Sequence, residues 1–437
     1  MLNTLDHWSS RFTSLPTTIE CPSMKILARD HEPPVFVGAG HIDISSVNEI
    51  TFRMFATAPD IAHPVSCILR AKQNRYETLD QFRLFATDYD DQEWGCGWIT
   101  PQFEEESGMG WLITGSLRNL ATVASSPWVS KEQSVELIFH PAPEVPLTKS
   151  ILTVASIEGA EVNRSWHSAQ HVLEALETTI TFYRAPNDNA LWVTAPTSRL
   201  LAHPYAENWL GEPLRILLGQ LAYPRLVARN LGNGSAQIQL RASHTPLRHS
   251  GWVSLSASLK RADDTEFWKN YAMLLSMIAH GRDPKGHPNF ESNPVTRFYE
   301  EIVQATRGSR WVQSMTLASA AEGLGKMLMS AASGSPEFSA EEVESLRKRI
   351  LGWDGGEPLK QRVLGWFSFF GNKSAQAFFR ELQKKGILKD AEVESWISVR
   401  NAVMHGSMTS PWSSEEDDNQ LMALASLVHS LTKQLLL

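Results

Sequence analysis

Between residues 34 and about 260, hydrophobic and polar side chains alternate in short runs rich in Val, Ile, Phe, Thr and Trp, separated by turn residues. A period of two is what a strand with one buried face requires. The runs HIDISSVNEITFRMFAT, QFRLFATDY, GWLITGSL, SVELIFH, TTITFYR, ALWVTAP, AQIQLRAS and GWVSLSA therefore read as strands, two of them joined by the turn-forming RAPNDNAL. Two stretches break the alternation with helical spacing, SWHSAQHVLEALE and PLRILLGQLAY. The region from 1 to 293 is thus expected to be β-rich with a few helices, with room for two subdomains.

From residue 264 the period changes to helical. TEFWKNYAMLLSMIA predicts a helix, and the Gly/Pro/Asn-rich HGRDPKGHPNFESNP after it marks a boundary. Residues 294 to 437 then read as helices alone. Residues 310 to 331 are apolar on nearly every face, as in a helix buried inside a bundle. Ser339 with Glu342 forms a capping box, Gly352 and Gly386 are stops, and Pro358 suits a first turn. Asp390 is placed to cap a helix that Gly406 ends, and Ser414 precedes the acidic run 415–418 at the positive end of the last helix. The expected fold is α+β in two parts, a β-rich N-terminal region followed by a five- or six-helix bundle.

Composition fits a folded chain, with 42% hydrophobic and 20% charged residues among 437. No apolar run approaches the roughly 18 residues that a membrane span needs. The N-terminus lacks the basic leader and apolar block of a secretory signal. Three widely spaced cysteines (Cys21, Cys67 and Cys96) supply no zinc-type pair and suit a reducing, cytosolic setting. The net charge of −8 argues against a protein that coats nucleic acid with a broad basic face. The helical part is nearly neutral, so any nucleic-acid contact there must be local, through Arg347 to Arg349 or Lys384 and Lys385.

Candidate chemistry concentrates in WISVRNAVMHG. With Val393 at zero on a helical wheel, the apolar arc of Trp396, Ile397, Val399, Val403 and Met404 centres near 330°, and Arg400 falls at about 340°. An arginine directed at a core needs a carboxylate or phosphate, since it cannot shed its proton. Glu322 is the candidate partner, central on the face shared by Trp311, Met315, Ala318 and Met329. A buried pair of this kind can also be a purely structural lock on bundle register. His405 lies roughly 140° from Arg400. Release of the chain at Gly406, or a second subunit across a two-fold interface, would bring the two together. These groups suit RNA cleavage by attack of the ribose 2′-hydroxyl on the adjacent phosphate. His405 would move protons, Arg400 would hold phosphate oxygens, and Asn401 would orient one or the other. The nucleophile belongs to the RNA, so no metal or cofactor is called for.

The run VRNAVMHG resembles the R-N-x-x-x-H signature of HEPN domains, and its combination with a long β-rich N-terminal region is similar to the ApeA-like HEPN proteins of prokaryotic anti-phage defence. The resemblance implies a helical-bundle homodimer and metal-independent endoribonuclease activity. It also implies arrest of an infected cell once a phage-derived trigger, sensed by the N-terminal region, releases the nuclease. Carried onto this chain, the motif residues are Arg400, Asn401 and His405; Glu322 comes from the wheel alone. RNA is the implied substrate, tRNA among its forms. Two rival readings stand beside it. One is a bundle serving only dimerisation or RNA binding, the other a sensor whose ligand sits in the Trp-rich β region. Trp94, Trp98 and Trp111 are read first as packing and second as a ligand groove. The Gly323-Leu-Gly-Lys run departs from a phosphate-binding loop at both ends, and no metalloprotease, zinc-finger or serine-hydrolase motif occurs.

Overall fold

The computed structural model describes residues 4–28, 33–58, 62–73, 81–105, 110–125, 129–157, 160–184, 189–243, 251–256, 264–290, 293–331, 339–365, 367, 374–404 and 414–437. The protein is α+β in two parts. In chain order the first part runs α1 (Asp6–Thr13), β1 (Thr17–Leu27), β2 (Phe36–Ser46), β3 (Glu49–Thr57), α2 (Ala62–Gln73), β4 (Phe82–Thr87), β5 (Glu93–Ile99), β6 (Gln102–Glu105), β7 (Gly110–Leu117) and β8 (Asn119–Ser125). It continues with β9 (Gln133–Phe139), β10 (Lys149–Ile157), β11 (Ala160–Ala175), β12 (Thr178–Tyr183), β13 (Leu191–Pro196), α3 (Ala206–Trp209), α4 (Glu212–Leu218), β14 (Leu226–Leu231) and β15 (Ser235–Arg241). The helical part comprises α5 (Asp264–His280), α6 (Pro294–Ala305), α7 (Arg310–Ala331), α8 (Ala340–Leu351), α9 (Glu357–Gly365), α10 (Ala375–Lys384), α11 (Asp390–Met404) and α12 (Glu415–Leu435).

The strands form one sheet in the order β10-β11-β12-β13-β9-β14-β15-β8-β5-β4-β1-β2-β3-β7-β6, and its strand pairs are antiparallel. Alternation decides which face each side chain takes. On β3, Ile50, Phe52, Met54 and Ala56 are buried, while Arg53 and Phe55 between them are exposed. Trp94 is 1% exposed and meets Trp8 and Phe12 of α1 edge-on, with ring centroids 5.8 and 6.0 Å apart. The backbone N–H groups of Thr4 and Leu5, just ahead of α1, donate to the buried Glu136 carboxylate on β9 at 3.0 and 2.9 Å. A carboxylate facing the start of a helix suits both its free N–H groups and its dipole.

Two stretches fold otherwise than their local pattern suggests. SWHSAQHVLEALE, expected to be helical, lies in and just beyond the sixteen-residue strand β11. β11 is paired along its length, with β10 on one side and β12 on the other. Ladder pairing, with β10 up to Gln170 and with β12 from Gln170 onward, outweighs the helix preference of Ala, Leu and Glu. GWVSLSA, expected to be a strand, instead begins with a single 3-10 turn, Gly251–Val253. That turn packs closely on the chain after α4. A Cβ at Gly219, whose φ is +59°, would meet the Val253 and Ser254 backbone at 2.8 Å, so only glycine fits there.

The chain divides into two compact units. The first comprises 1–214, 221–247 and 263–292 and includes α5, whose Trp268 and Tyr271 rings pack on Phe182. The second comprises 293–437 together with 215–220 and 248–262, two segments that lie within the β-rich region of the sequence. Asn293 caps α6 by accepting from Val295 N at 3.0 Å, with Pro294 in the first turn. α7 packs against α6, α10, α11 and α12. It is not enclosed on every face as its apolar sequence suggests, since Val312 and Met315 are exposed. The Ser339–Glu342 capping box and the Ser414 cap form as expected. Asp390 does not cap α11 but is its first residue. Glu392 reaches back to accept from Lys389 N at 2.8 Å and also takes the Ser426 hydroxyl. Pro358 lies in the first turn of α9, and beyond Gly365 the chain up to Ser374 lies outside the described residues, apart from Phe367.

A buried polar contact ties the last helix to this unit. His429 Nδ1 lies 2.9 Å from the Tyr299 hydroxyl, and its Nε2 donates to Trp252 O at 2.8 Å. Burial pushes the His429 pKa down to about 4 from 6.5, helped by Lys433 and opposed by the Trp252 carbonyl. The unfolded chain therefore takes up a proton at this position before the folded one does. Stability is intact above pH 6.5, declines as pH falls from 6.5 to about 4, and loses no more below that. The whole loss amounts to about 3 kcal/mol. Urea unfolding at neutral pH and near pH 5 should show a steeper acid decline in the wild type than in His429→Gln. Parallel declines would mean that His429 is not held neutral.

Candidate functional site

The candidate residues sit on two helices of the second unit, and the packing that places them starts at Trp396. Its ring is 1% exposed, its Nε1 donates to Ala318 O of α7 at 3.0 Å, and Phe379 of α10 stands edge-on at 4.8 Å. Phe379 needs room on α7. A Cβ at Gly325 would lie 2.6 Å from its ring, and one at Gly323 2.3 Å from Phe298. The glycines of the Gly323-Leu-Gly-Lys run are thus packing glycines, which accounts for that run without any phosphate loop.

With α11 fixed in this way, Arg400 comes to Glu322. The Arg400 Nε lies 3.9 Å from Glu322 Oε2, while Lys326, one turn further along α7, places its Nζ 2.8 Å from Glu322 Oε1. The expected partners meet, but not in a core. The Arg400 side chain is 46% exposed and that of Glu322 32%. The wheel misplaces Arg400 because burial on α11 covers Glu392, Val393, Trp396 and Val399 and leaves Ile397 half-buried, which shifts the buried arc away from Arg400. The long arginine stem then follows the Trp396 ring, with Cζ 5.6 Å from its centroid, and delivers the guanidinium to water. Asn401, next in sequence, is exposed. His405 and Gly406 lie outside the described residues, so the Arg-Asn half of the motif is placed here and the His half is not.

The arrangement has a definite chemical character. A half-exposed guanidinium with one long ion contact keeps most of its N–H groups available for a phosphate, and a carboxylate shared with Lys326 limits where it can swing. Sequence reasoning missed Lys326 and the Trp396 ring as neighbours. Lys326 was within reach, because it sits four residues after Glu322, the spacing at which helix side chains meet. Among the described residues no group of three or more His, Cys, Asp or Glu is placed to hold a metal ion, and no helix is long and apolar enough to cross a membrane. Cys21, Cys67 and Cys96 form no disulfide and are buried, and burial pushes the Cys21 thiol up to about 12. No protein-family model, curated protein or solved structure matches the chain.

Proposed function

We propose that the second unit is a metal-independent endoribonuclease of the HEPN type, in which Arg400, Asn401 and His405 act together and Glu322 positions Arg400. The observation that supports it best is the solvent-facing Arg400 beside Glu322 on the turn that also carries Asn401, in the run VRNAVMHG. A guanidinium held only at 3.9 Å by a shared carboxylate is suited to anion binding, whereas a structural lock would be buried and closely paired. In this reading the ribose 2′-hydroxyl attacks the neighbouring phosphate and the 5′-oxygen leaves. His405 exchanges the protons, and Arg400 neutralises charge on the phosphate oxygens as it builds up. The products are a 2′,3′-cyclic phosphate and a 5′-hydroxyl end.

The biological setting follows from the same reading. The enzyme works in the cytoplasm as a homodimer through the helical bundle. It cuts cellular RNA, tRNA among it, when the N-terminal region meets a phage-derived signal, and the infected cell stops growing. The test is digestion of total RNA by the purified chain with excess EDTA, followed by chemical mapping of the ends. Cyclic phosphate ends should appear with chelator and vanish in His405→Ala. Cleavage that chelation stops, or that His405→Ala retains, would remove this mechanism.

A further inference from the structure

A second site lies in the first unit, on the outward face of the sheet where β2, β3, β7 and β6 run side by side. Register brings four polar residues into one row across these strands: His41 opposite Arg53, Arg53 opposite Thr114, and Thr114 opposite Gln102. A second row, two residues along, aligns Asp43, Thr51 and Ser116. Neighbouring strands are about 4.8 Å apart, so the side chains of each row stand side by side within the span of one small ligand. These residues floor a groove of about 670 Å³, with Trp98 and Arg118 also in its wall. That volume falls within the range of small-ligand sites.

The groove carries positive charge in a chain whose net charge is −8. Among the described residues neither Arg53 nor Arg118 has a carboxylate partner. The acid in the groove, Asp43, is already engaged by the Thr18 hydroxyl at 2.7 Å and by His41 at 3.2 Å. Trp98 is 41% exposed, unlike the buried Trp94 on the same strand. The Arg83 guanidinium lies 4.0 Å from its ring centroid and holds the indole in place by a cation–π contact. An indole braced in this way offers a pre-organised surface for stacking.

We infer that this groove binds a nucleoside phosphate, with Arg53 and Arg118 on the phosphate, Trp98 against the base, and the hydroxyls of Thr51, Thr114 and Ser116 toward the sugar. Paired guanidinium groups match phosphate oxygens, and a flat aromatic ring matches a base face without regard to its identity. The inference is independent of RNA cleavage at α11, with which it shares no residue. The ligand is either a free nucleotide or part of a nucleic-acid strand, and the two sources separate by experiment.

The test uses the full chain in an Arg400→Ala background, which silences the other proposed RNA contact. AMP, ADP and ATP are titrated calorimetrically, inorganic pyrophosphate serves as the anion without a base, and a short fluorescein-labelled oligoribonucleotide is followed by anisotropy. Binding should weaken by about tenfold or more for Arg53→Gln with Arg118→Gln. Trp98→Ala should cost roughly tenfold for nucleotides and leave pyrophosphate unaffected, while Trp98→Phe should restore most of the loss. Unchanged thermal melting would show that each variant is folded. Binding of the mononucleotides identifies a small-molecule ligand, and binding of the oligonucleotide alone identifies a strand. The inference is overturned if no probe binds, if binding survives loss of both arginines, or if pyrophosphate binds as tightly as a nucleotide.

Discussion

Arg400→Ala should leave the protein as stable as the wild type, within about 1 kcal/mol, and lower RNA cleavage by roughly 10²-fold or more. The two expectations have separate physical origins. Stability barely depends on an ion pair at 3.9 Å whose side chains are 46% and 32% exposed, because water screens the charges and both long side chains must be ordered to meet. Glu322 also keeps Lys326 at 2.8 Å when Arg400 is removed, so no carboxylate is stranded. In the proposed mechanism cleavage depends on the guanidinium at the phosphate, where no other described side chain of α11 can substitute. Glu322→Gln should also fold normally and cut more slowly, since the guanidinium loses its guide but not its charge. The measurement is a double-mutant cycle read in parallel by thermal melting and by cut-end mapping. A loss of several kcal/mol in either single variant would restore the structural lock that the helical wheel suggests, and cleavage without Arg400 would take it out of the active site.

How much of this was legible in the sequence depends on the scale at which a residue's surroundings are fixed. Caps and stops are local, and Ser339, Gly352, Gly386 and Ser414 do what their neighbours dictate. Strands with clean alternation, such as β3 and β15, follow from their own pattern. β11 does not, because its pairing is set by β10 over its first part and by β12 over its last. The short α1 has Ser9, Ser10 and Thr13 among its eight residues, and its Trp8 and Phe12 become core only against Trp94. Buried charged groups in the β-rich region were equally hidden. Glu136 and Arg225 are buried, and nothing in SVELIFH or PRLVARNL says that the former binds two N–H groups ahead of α1 and the latter the Val47 and Arg241 carbonyls. The groove at Arg53 needs the register of four strands before its two rows exist. At α11 the motif was visible, but the wheel treats burial as a property of one helix. Exposure at Arg400 is decided by where α7 and α10 stop covering it.

The largest stability effect is expected at Arg215, in the segment 215–220 that belongs to the second unit. Its Nε lies 2.8 Å from Glu300 Oε1 of α6, and the two side chains are 4% and 14% exposed. The contact is chiefly electrostatic, since the Nε–H is not aimed along the line to the oxygen. Here the desolvation that Arg400 escapes is unavoidable. Arg215→Met removes the guanidinium from beside the Glu300 carboxylate in a largely dry site, and Glu300→Leu removes the carboxylate from beside the guanidinium, so each should cost about 3 to 5 kcal/mol. The double variant should recover much of that loss, because an apolar pair of similar volume removes both charges together. Urea unfolding of the four proteins gives the coupling directly. Additive losses, with the double variant as unstable as both singles combined, would mean that the two groups do not sense one another and that the cost lies in packing. Since neither residue belongs to the proposed site, RNA cleavage by the folded fraction should be unchanged in all four, which separates a residue that holds the unit together from one that acts in it.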